Sequence, residues 1–332
     1  MPKNKDHSYQ HTMDNNFIQS VSINRSIGGD KEYFADKNAI SASGLKKLKV
    51  SPAHFKHGEE DKDTEAMQFG SAYHCYVLEP ERFEKEYYVF DDDAVCQAII
   101  AKGASEGKEV KSVRATKEYK EWANSEMRVI GERTMIQKPD FERIKEMKSR
   151  LFSHPYAKML LTNGEPEVGL KGTITTEIGD VNVKLKPDYI KAGKHLVVDL
   201  KTAKDASLDG FTKDAAKLNY HIQAAFYCDI LSRMDGNMPY TFIFIAQEKV
   251  RPYAFNLFEC SAQFISQGRY EYEMLLQLYK HCLDKNYWPG YQVFCPNRYG
   301  LLELNLPNYA IKSLDFYDYS VNKQPEQLSI AV

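Results

Sequence analysis

The sequence lacks several features that would place it quickly in a class of protein. Its six cysteines, at 75, 96, 228, 260, 282 and 295, have no pair at the close spacing of a zinc or iron–sulfur motif, so we expect reduced thiols. No apolar run approaches the roughly 20 residues of a membrane span, and the polar start MPKNKDHSYQHTMDNN is no secretion signal. An excess of basic charge is also missing, since the formal net charge is -2. These absences favour a cytoplasmic protein without a membrane segment, and they argue against indiscriminate coating of nucleic acid while permitting a local basic channel.

The composition is that of an ordinary globular protein, with 43% hydrophobic and 27% charged residues over 332 positions. This length suffices for one large domain. Residues 1–38 are polar and broken by Gly28 and Gly29, so they predict a disordered or loosely attached arm. We expect a single domain over 39–310 and a C-terminal tail over 311–332.

The hydrophobic periodicity predicts a mixed α/β fold in which helices pack on a central sheet. Helical spacing runs through 64–79, 139–161, about 215–234 and 262–285. Alternating apolar residues predict three consecutive strands, over 167–176, 181–189 and 195–202, that form an antiparallel meander. The nearly continuous apolar run at 240–247 is typical of a strand covered on both faces.

The stretch KLKPDYIKAGKHLVVDLKTAKD brings chemistry to one strand end. Asp199 and Lys201 are two residues apart and so share a strand face, and a hairpin would return Asp188 beside Asp199. Two close carboxylates repel each other, which a hard divalent cation such as Mg²⁺ relieves. Carboxylates, metal and lysine together suit the attack of water on a phosphodiester. Glu167 could reach the same site, although an exposed strand carboxylate is an equal alternative.

A histidine on the first strong helix is a further candidate ligand. Gly70 and His74 lie one turn apart on one face of the helix TEAMQFGSAYHCYVLE. The small glycine would let this helix approach another element closely. Considered alone, the pattern favours a hydrogen-bonded core histidine over a metal ligand, because buried imidazoles are common and ligands need partners.

Taken together, the motifs resemble a known family. Pro187-Asp188 followed by Asp199-Leu200-Lys201 resembles the PD-(D/E)xK nuclease motif. The wider set, spanning about 40–307, is similar to the RecE-type exonuclease domain, exodeoxyribonuclease VIII: ISASGLKKLKVSPAHF, FGSAYHCYVLEPERF, DLKTAKDA, YHIQAAFY and IAQEKVRPY. The resemblance therefore implies a PD-(D/E)xK core with a central mixed sheet.

The resemblance also implies an activity and partners. Such enzymes degrade one strand of linear double-stranded DNA from its 5′ end and leave a 3′ single strand. They form ring-shaped homo-oligomers around the duplex, trimers or tetramers, and pass the product to a single-strand annealing protein of the RecT type. They are typical of phages and prophages, and so of the cytoplasm of bacterial or phage-infected cells.

Site residues follow from the same resemblance. Mg²⁺, with Mn²⁺ as a possible substitute, is expected to be held by His74, Asp188, Asp199 and the main-chain carbonyl of Leu200. Lys201 matches the lysine that orients the attacking water and offsets charge on the phosphate. The positions expected to support DNA and the site are Gln223 and Tyr227, which match a QxxxY motif, together with Glu167 and Ser43.

Ser43 falls where the related phage-lambda-type exonuclease has a serine that binds the 5′-terminal phosphate. The upstream arginine of that enzyme has no match here, because Asp36 occupies the corresponding spacing.

Two other interpretations stay open at this point. The first is another nuclease of the same core, either an endonuclease or a CRISPR-adaptation-type enzyme, which would also cut closed circular DNA. The second is a catalytically silent scaffold that binds DNA ends.

Overall fold

The computed structural model describes residues 17–25, 29–59, 64–294 and 301–307. These residues fall into two compact units, one ending at Gly290 and the other beginning at Tyr291. Every helix and strand named below belongs to the first unit, and the second contains a short 3-10 helix at Tyr291–Phe294. Among the described residues, no helix is both long enough and apolar enough to cross a membrane.

The strands, in chain order, are β1 Ile18–Arg25, β2 Tyr87–Phe90, β3 Thr134–Gln137, β4 Glu165–Pro166, β5 Leu170–Thr176, β6 Gly179–Leu185, β7 Tyr189–Lys191, β8 Leu196–Ala203, β9 Thr241–Glu248 and β10 Phe255–Glu259. The helices are α1 Gly29–Ala35, α2 Ala42–Val50, α3 Pro52–His57, α4 Glu65–Leu78, α5 Pro80–Glu86, α6 Asp93–Ser105, α7 Lys117–Ile130, α8 Lys138–Phe152, α9 Pro155–Leu160, α10 Leu208–Lys217, α11 Tyr220–Met234 and α12 Ala262–Lys285.

A five-stranded mixed sheet, in the order β10-β9-β8-β7-β4, forms the centre of the fold. β8 and β9 pair in parallel, whereas the other neighbours pair antiparallel. Parallel neighbours require a crossover connection, which α10 and α11 supply. β1, β5 and β6 form a separate antiparallel sheet, and β2 pairs in parallel with β3.

Helices cover both faces of the central sheet because its strands are apolar on both sides. Phe242, Phe244 and Ala246 of β9 point into a core that also contains residues of α2, α11 and α12. Their neighbours Ile243 and Ile245 point into a second core shared with α4 and α8. Alternation along the strand thus divides one apolar run between two helical layers.

Local side-chain and backbone chemistry fixes several helix ends. Ser41 caps α2, and its side chain accepts a hydrogen bond from Gly44 N. Thr64 caps α4 in the same way through Met67 N. α12 ends where Asn286 adopts the left-handed conformation.

The predicted fold class, a mixed α/β fold with helices packed on a central sheet, is confirmed. The details differ in the meander, which is divided between two sheets: β5 and β6 pair in one, and β7 and β8 in the other. Pro187 and Asp188 interrupt the strand predicted over 181–189, and proline cannot donate a ladder hydrogen bond.

Two long predicted helices are each broken once. The helix over 139–161 is interrupted before Pro155, where His154 caps α9 through Ala157 N. The helix over 215–234 is interrupted at Asn219, whose left-handed backbone conformation (φ 54°) separates α10 from α11.

The N-terminal arm predicted over 1–38 also differs where it is described. Residues 18–25 form β1, which pairs antiparallel with β5, and Phe17 and Ile18 are buried in the core. Gly172 permits this pairing, since a Cβ there would lie 2.0 Å from Ser22 O. Residues 1–16 of the arm and the tail at 311–332 lie outside the described residues, and the boundaries of the domain stay a prediction.

Candidate metal centre

The candidate site lies at the end of β8, where four segments of the chain meet. β8 supplies Asp199 and Lys201 on one face, while Val198 and Leu200 are fully buried in the core on the other. Asp188 comes from the connection between β6 and β7, His74 from α4, and Glu167 from the connection between β4 and β5. The strand alternation predicted from the sequence therefore places the carboxylate and the ammonium side by side.

Asp188 is fixed by the strand beside it. β7 pairs antiparallel with β8, and Tyr189 lies opposite Val198, so the preceding residue, Asp188, lies level with Asp199. The main-chain N–H of Leu200 donates to Asp188 Oδ2 at 2.8 Å. Leu200 therefore contacts the site through its main-chain N–H, while its side chain stays in the core, and the role of its carbonyl as a metal ligand stays a prediction.

His74 reaches the same carboxylate from α4. Its Nδ1 lies 3.4 Å from Asp188 Oδ2, and a hydrogen bond links the ring to the main chain of Leu200. Burial, followed by the charge of Lys201, lowers the pKa of His74. The imidazole is therefore neutral near pH 7, and a nitrogen lone pair is available for a metal ion.

Gly70 lies one turn before His74 and faces β8. A Cβ there would lie 3.7 Å from Thr202 Oγ1, an ordinary contact distance. α4 thus lies close to β8, as predicted, but the position has room for an alanine.

Glu167 joins His74 and Asp188 in one cluster. One ligand atom from each of the three lies within 4.8 Å of those of the others. The left-handed backbone of Glu167 (φ 49°) is held by its N–H, which donates to Asp188 O at 2.9 Å. Such a conformation costs roughly 1–2 kcal/mol for a residue with a side chain. The sequence suggested that Glu167 could reach the site to support substrate, whereas the structure brings it into the group of possible metal ligands.

The positive charge near the acidic groups of the cluster is too small to keep their pKa values at the ordinary level. Burial, followed by the charge of Asp199, raises the pKa of Asp188 to about 7. Burial and the charge of Asp188 also raise the pKa of Glu167, although Lys186 Nζ lies 2.9 Å from its Oε2. Two neighbouring carboxylates ionise together more readily when a bound cation offsets their charge. One imidazole nitrogen and two carboxylates are a donor set that fits a divalent ion. The residues present therefore fit a divalent metal.

Asp199 is fully buried beside this cluster, and both of its oxygens have partners. Its Oδ1 pairs with Lys201 Nζ, and its Oδ2 accepts a hydrogen bond from Gln223 Nε2 at 2.7 Å. Burial alone would lower the pKa of Lys201, but the charges of Asp199 and Asp188 outweigh it and raise the pKa above its ordinary value. Lys201 is therefore charged, and the role of Asp199 as a metal ligand stays a prediction.

A second lysine approaches from α2, and no sequence motif assigned it to the metal centre. Lys46 Nζ donates to Gln223 Oε1 at 3.1 Å and lies 5.0 Å from the centre of the Tyr220 ring. Lys201 Nζ lies 5.3 Å from the centre of the same ring. Burial, followed by the charge of Lys201, lowers the pKa of Lys46 to about 8. The one available signal was its position one helical turn after Ser43.

The other two predicted substrate residues occupy contrasting positions. Tyr227 is buried in the core of α11, where its hydroxyl meets the main chain of Lys186. Tyr227 therefore contacts the connection between β6 and β7 that carries Asp188. Ser43 is exposed in the first turn of α2. Their substrate-binding roles stay predictions.

Comparisons with known proteins bear on this geometry. A family model described as a PDDEXK-like domain of unknown function (DUF3799) matches residues 41–297. Among solved structures, the crystal structure of a candidate exonuclease from Eubacterium rectale is 15% identical and has a TM-score of 0.52, over 86% of this chain and 96% of that chain. This likeness shows a shared fold, and together with the family model it confirms the predicted PD-(D/E)xK core.

A second crystal structure, that of SSO0001, is 18% identical over 62% of this chain and 98% of that chain. Its TM-score of 0.26 is too low to carry an argument. A sequence comparison with curated proteins finds no match.

Proposed function

Because this chain belongs to the family of PDDEXK-like domains of unknown function (DUF3799), we propose that it is a metal-dependent exodeoxyribonuclease of the RecE type. It degrades one strand of linear double-stranded DNA from the 5′ end and leaves a 3′ overhang for recombination by annealing. The observation that carries the proposal is the cluster of His74, Glu167 and Asp188 beside the Asp199–Lys201 pair.

His74, Glu167 and Asp188 would hold the divalent ion, Mg²⁺ or its substitute Mn²⁺, with Asp199 and the Leu200 carbonyl as the further ligands expected from the sequence. When bound, such an ion lowers the pKa of a coordinated water and polarises a phosphate oxygen. The chain itself contributes a neutral His74, whose lowered pKa keeps its lone pair free.

Lys201 contributes a fixed positive charge to the reacting phosphate. Its ammonium is held against Asp199, and Gln223 holds the other oxygen of that carboxylate. A charge that is already oriented does not have to reorganise as the pentavalent phosphate forms. Such groups are commonly worth about 10²–10³ in rate.

The 5′ polarity is supported by the position of α2. Ser43 is exposed on the first turn of this helix, and Lys46, one turn later, reaches Gln223 beside Asp199. A strand end placed against this turn would lie next to the metal centre. Ser43 is therefore the residue that we assign to the 5′-terminal phosphate.

The nuclease assay tests the activity and the site together. Nucleotide release from linear duplex should require Mg²⁺, stop with EDTA, and fall at least 100-fold in Asp188→Asn, which keeps the size of the side chain. The matched control is Asp209→Asn, which changes an exposed carboxylate on α10 and should leave the enzyme fully active. Activity that survives EDTA and Asp188→Asn would contradict the proposal.

The substrate form separates exonuclease from the alternatives. A duplex labelled at each 5′ end should lose its label first, and closed circular DNA should stay intact. Cutting of the circle would favour an endonuclease or a CRISPR-adaptation-type enzyme. Binding to ends without any nucleotide release would favour a silent scaffold.

The oligomer and the partner are part of the same proposal. A ring-shaped homo-oligomer should give a solution mass of three or four times the chain mass of 38.2 kDa. The 3′ strand would pass to a single-strand annealing protein of the RecT type. A monomeric mass at working concentration, together with release of short products from both strands, would count against the ring.

A further inference from the structure

A continuous path of hydrogen bonds connects α2 to the buried carboxylate of β8. Lys46 Nζ donates to Gln223 Oε1 at 3.1 Å, and Gln223 Nε2 donates to Asp199 Oδ2 at 2.7 Å. The other oxygen of Asp199 pairs with Lys201. Lys46 is therefore one side chain removed from the group that contacts the catalytic lysine.

The amide of Gln223 has two orientations, and Lys46 distinguishes them. In one, the oxygen faces the Lys46 ammonium and the NH₂ group faces the Asp199 carboxylate. In the other, the oxygen would face the carboxylate and the NH₂ group would face the ammonium, so both contacts would be repulsive. Only the first orientation satisfies both neighbours.

Lys46 is held in this place despite a cost. Burial and the charge of Lys201 oppose its charged form, and its ammonium shares the Tyr220 ring with Lys201. A lysine that served only to attach α2 would be more stable at a position away from the charge of Lys201.

Attachment of α2 is already provided by another lysine of the helix. Lys49 Nζ bonds Asn219 Oδ1 at 2.7 Å and Glu271 Oε2 at 2.6 Å, which ties α2 to the start of α11 and to α12. Lys46 and Lys49 are thus a matched pair, and only the former touches Gln223.

We propose that Lys46 is a positioning residue of the nuclease centre: it holds Gln223 Oε1, fixes the amide orientation, and so keeps Asp199 bonded to Gln223 and turned toward Lys201. The inference rests on the proposed nuclease function for its kinetic consequence, but not for the contact itself. If Lys46 has this role, its removal should lower kcat only while Gln223 is present.

A double-mutant cycle tests the kinetic consequence. Lys46→Met should lower kcat about tenfold, or about 1.4 kcal/mol in the barrier, with KM within twofold of the wild type. In a Gln223→Met background the same substitution should change kcat by less than twofold, because the group it acts through is gone. Lys49→Met, the control, should keep the wild-type kcat.

Three kinetic results would overturn the inference. Additive losses in Lys46→Met and Gln223→Met would mean that the two act separately. A raised KM with an unchanged kcat would make Lys46 a contact to DNA phosphate instead. An equal loss in Lys49→Met would assign the effect to the attachment of α2.

A spectroscopic measurement tests the contact without reference to activity. In protein labelled with ¹⁵N-glutamine, the NH₂ signal that disappears in Gln223→Met belongs to Gln223. Its protons should exchange slowly in the wild type and in Lys49→Met, and faster in Lys46→Met. An unchanged signal in Lys46→Met would refute the positioning role, whereas a wild type without nuclease activity would refute the proposed function alone.

Discussion

The affinity of the centre for a divalent metal should depend on pH through Asp188. Burial and Asp199 raise the pKa of this carboxyl from 3.8 to about 7, so that below pH 7 a proton must leave before a metal can bind. Each pH unit below the pKa then costs about 1.4 kcal/mol of metal-binding free energy. Between pH 8 and pH 6 the apparent dissociation constant should therefore rise by about tenfold.

The direction of this pH dependence follows from the form of Asp188, protonated or ionised, that the metal-free protein favours. A raised carboxyl pKa means that the metal-free protein holds its proton near neutral pH, and metal displaces that proton. His74 does not reverse the trend, because its pKa is lowered and the loss of a proton from a ligand histidine would also favour metal binding at higher pH. Affinity thus rises with pH until Asp188 is ionised, and then levels off.

Titration calorimetry with Mn²⁺ measures both parts of the prediction. At pH 6, heats in buffers of different ionisation enthalpy should show the release of nearly one proton per ion bound, and at pH 8 much less. Asp199→Asn removes the second cause of the raised pKa, so the pH dependence should move to lower pH. Its affinity at pH 8 then tells whether Asp199 is itself a ligand.

The exposed Asp209→Asn variant should bind as the wild type does. An affinity that stays constant from pH 6 to pH 8, with no proton released, would refute the reasoning.

Three further substitutions have defined expectations. Lys201→Gln should lower kcat by about 10²–10³ while Mn²⁺ affinity changes little, since Lys201 contacts Asp199 and lies outside the metal cluster; a loss of affinity as large as the loss of kcat would contradict this. Glu273→Gln should stabilise the fold by on the order of 1–3 kcal/mol at pH 8 and by almost nothing at pH 4.5, measured by urea unfolding. The reason is that burial and Asp229 raise the pKa of Glu273 to about 7. The folded wild type therefore loses stability as pH rises from 4.5 through 7, and the uncharged glutamine avoids this loss. An equal gain in stability at both pH values would contradict the prediction. Gly268→Ala should destabilise the fold by about 2 kcal/mol or more, because its Cβ would lie 2.0 Å from His221 O across the α11–α12 contact; an unchanged unfolding midpoint would show that the helices can separate.

The elements that local chemistry specifies could be predicted well. The helix predicted from position 64 is α4, which Thr64 caps, and β9 is buried on both faces, as its continuous apolar run indicated. The breaks at Pro155 and Asn219 were missed because the amphipathic period continues across them, although the proline is itself a local signal for a break. β1 was missed because a polar edge strand gains its order from pairing with β5.

The sequence by itself determined the strand-borne half of the candidate centre. Two-residue alternation puts Asp199 and Lys201 on one face, and the Pro187–Asp188 break returns a carboxylate to the same end. These relations involve residues close in the chain, so the strand period and one short hairpin fix them.

Only the tertiary structure decided which distant groups complete it. Glu167 joins His74 and Asp188 because the chain bends in the left-handed conformation before β5, and Lys46 reaches Gln223 across 177 positions of sequence. Such contacts depend on how α2, α4 and α11 pack against the sheet, and no periodicity within one segment encodes the distance between two segments.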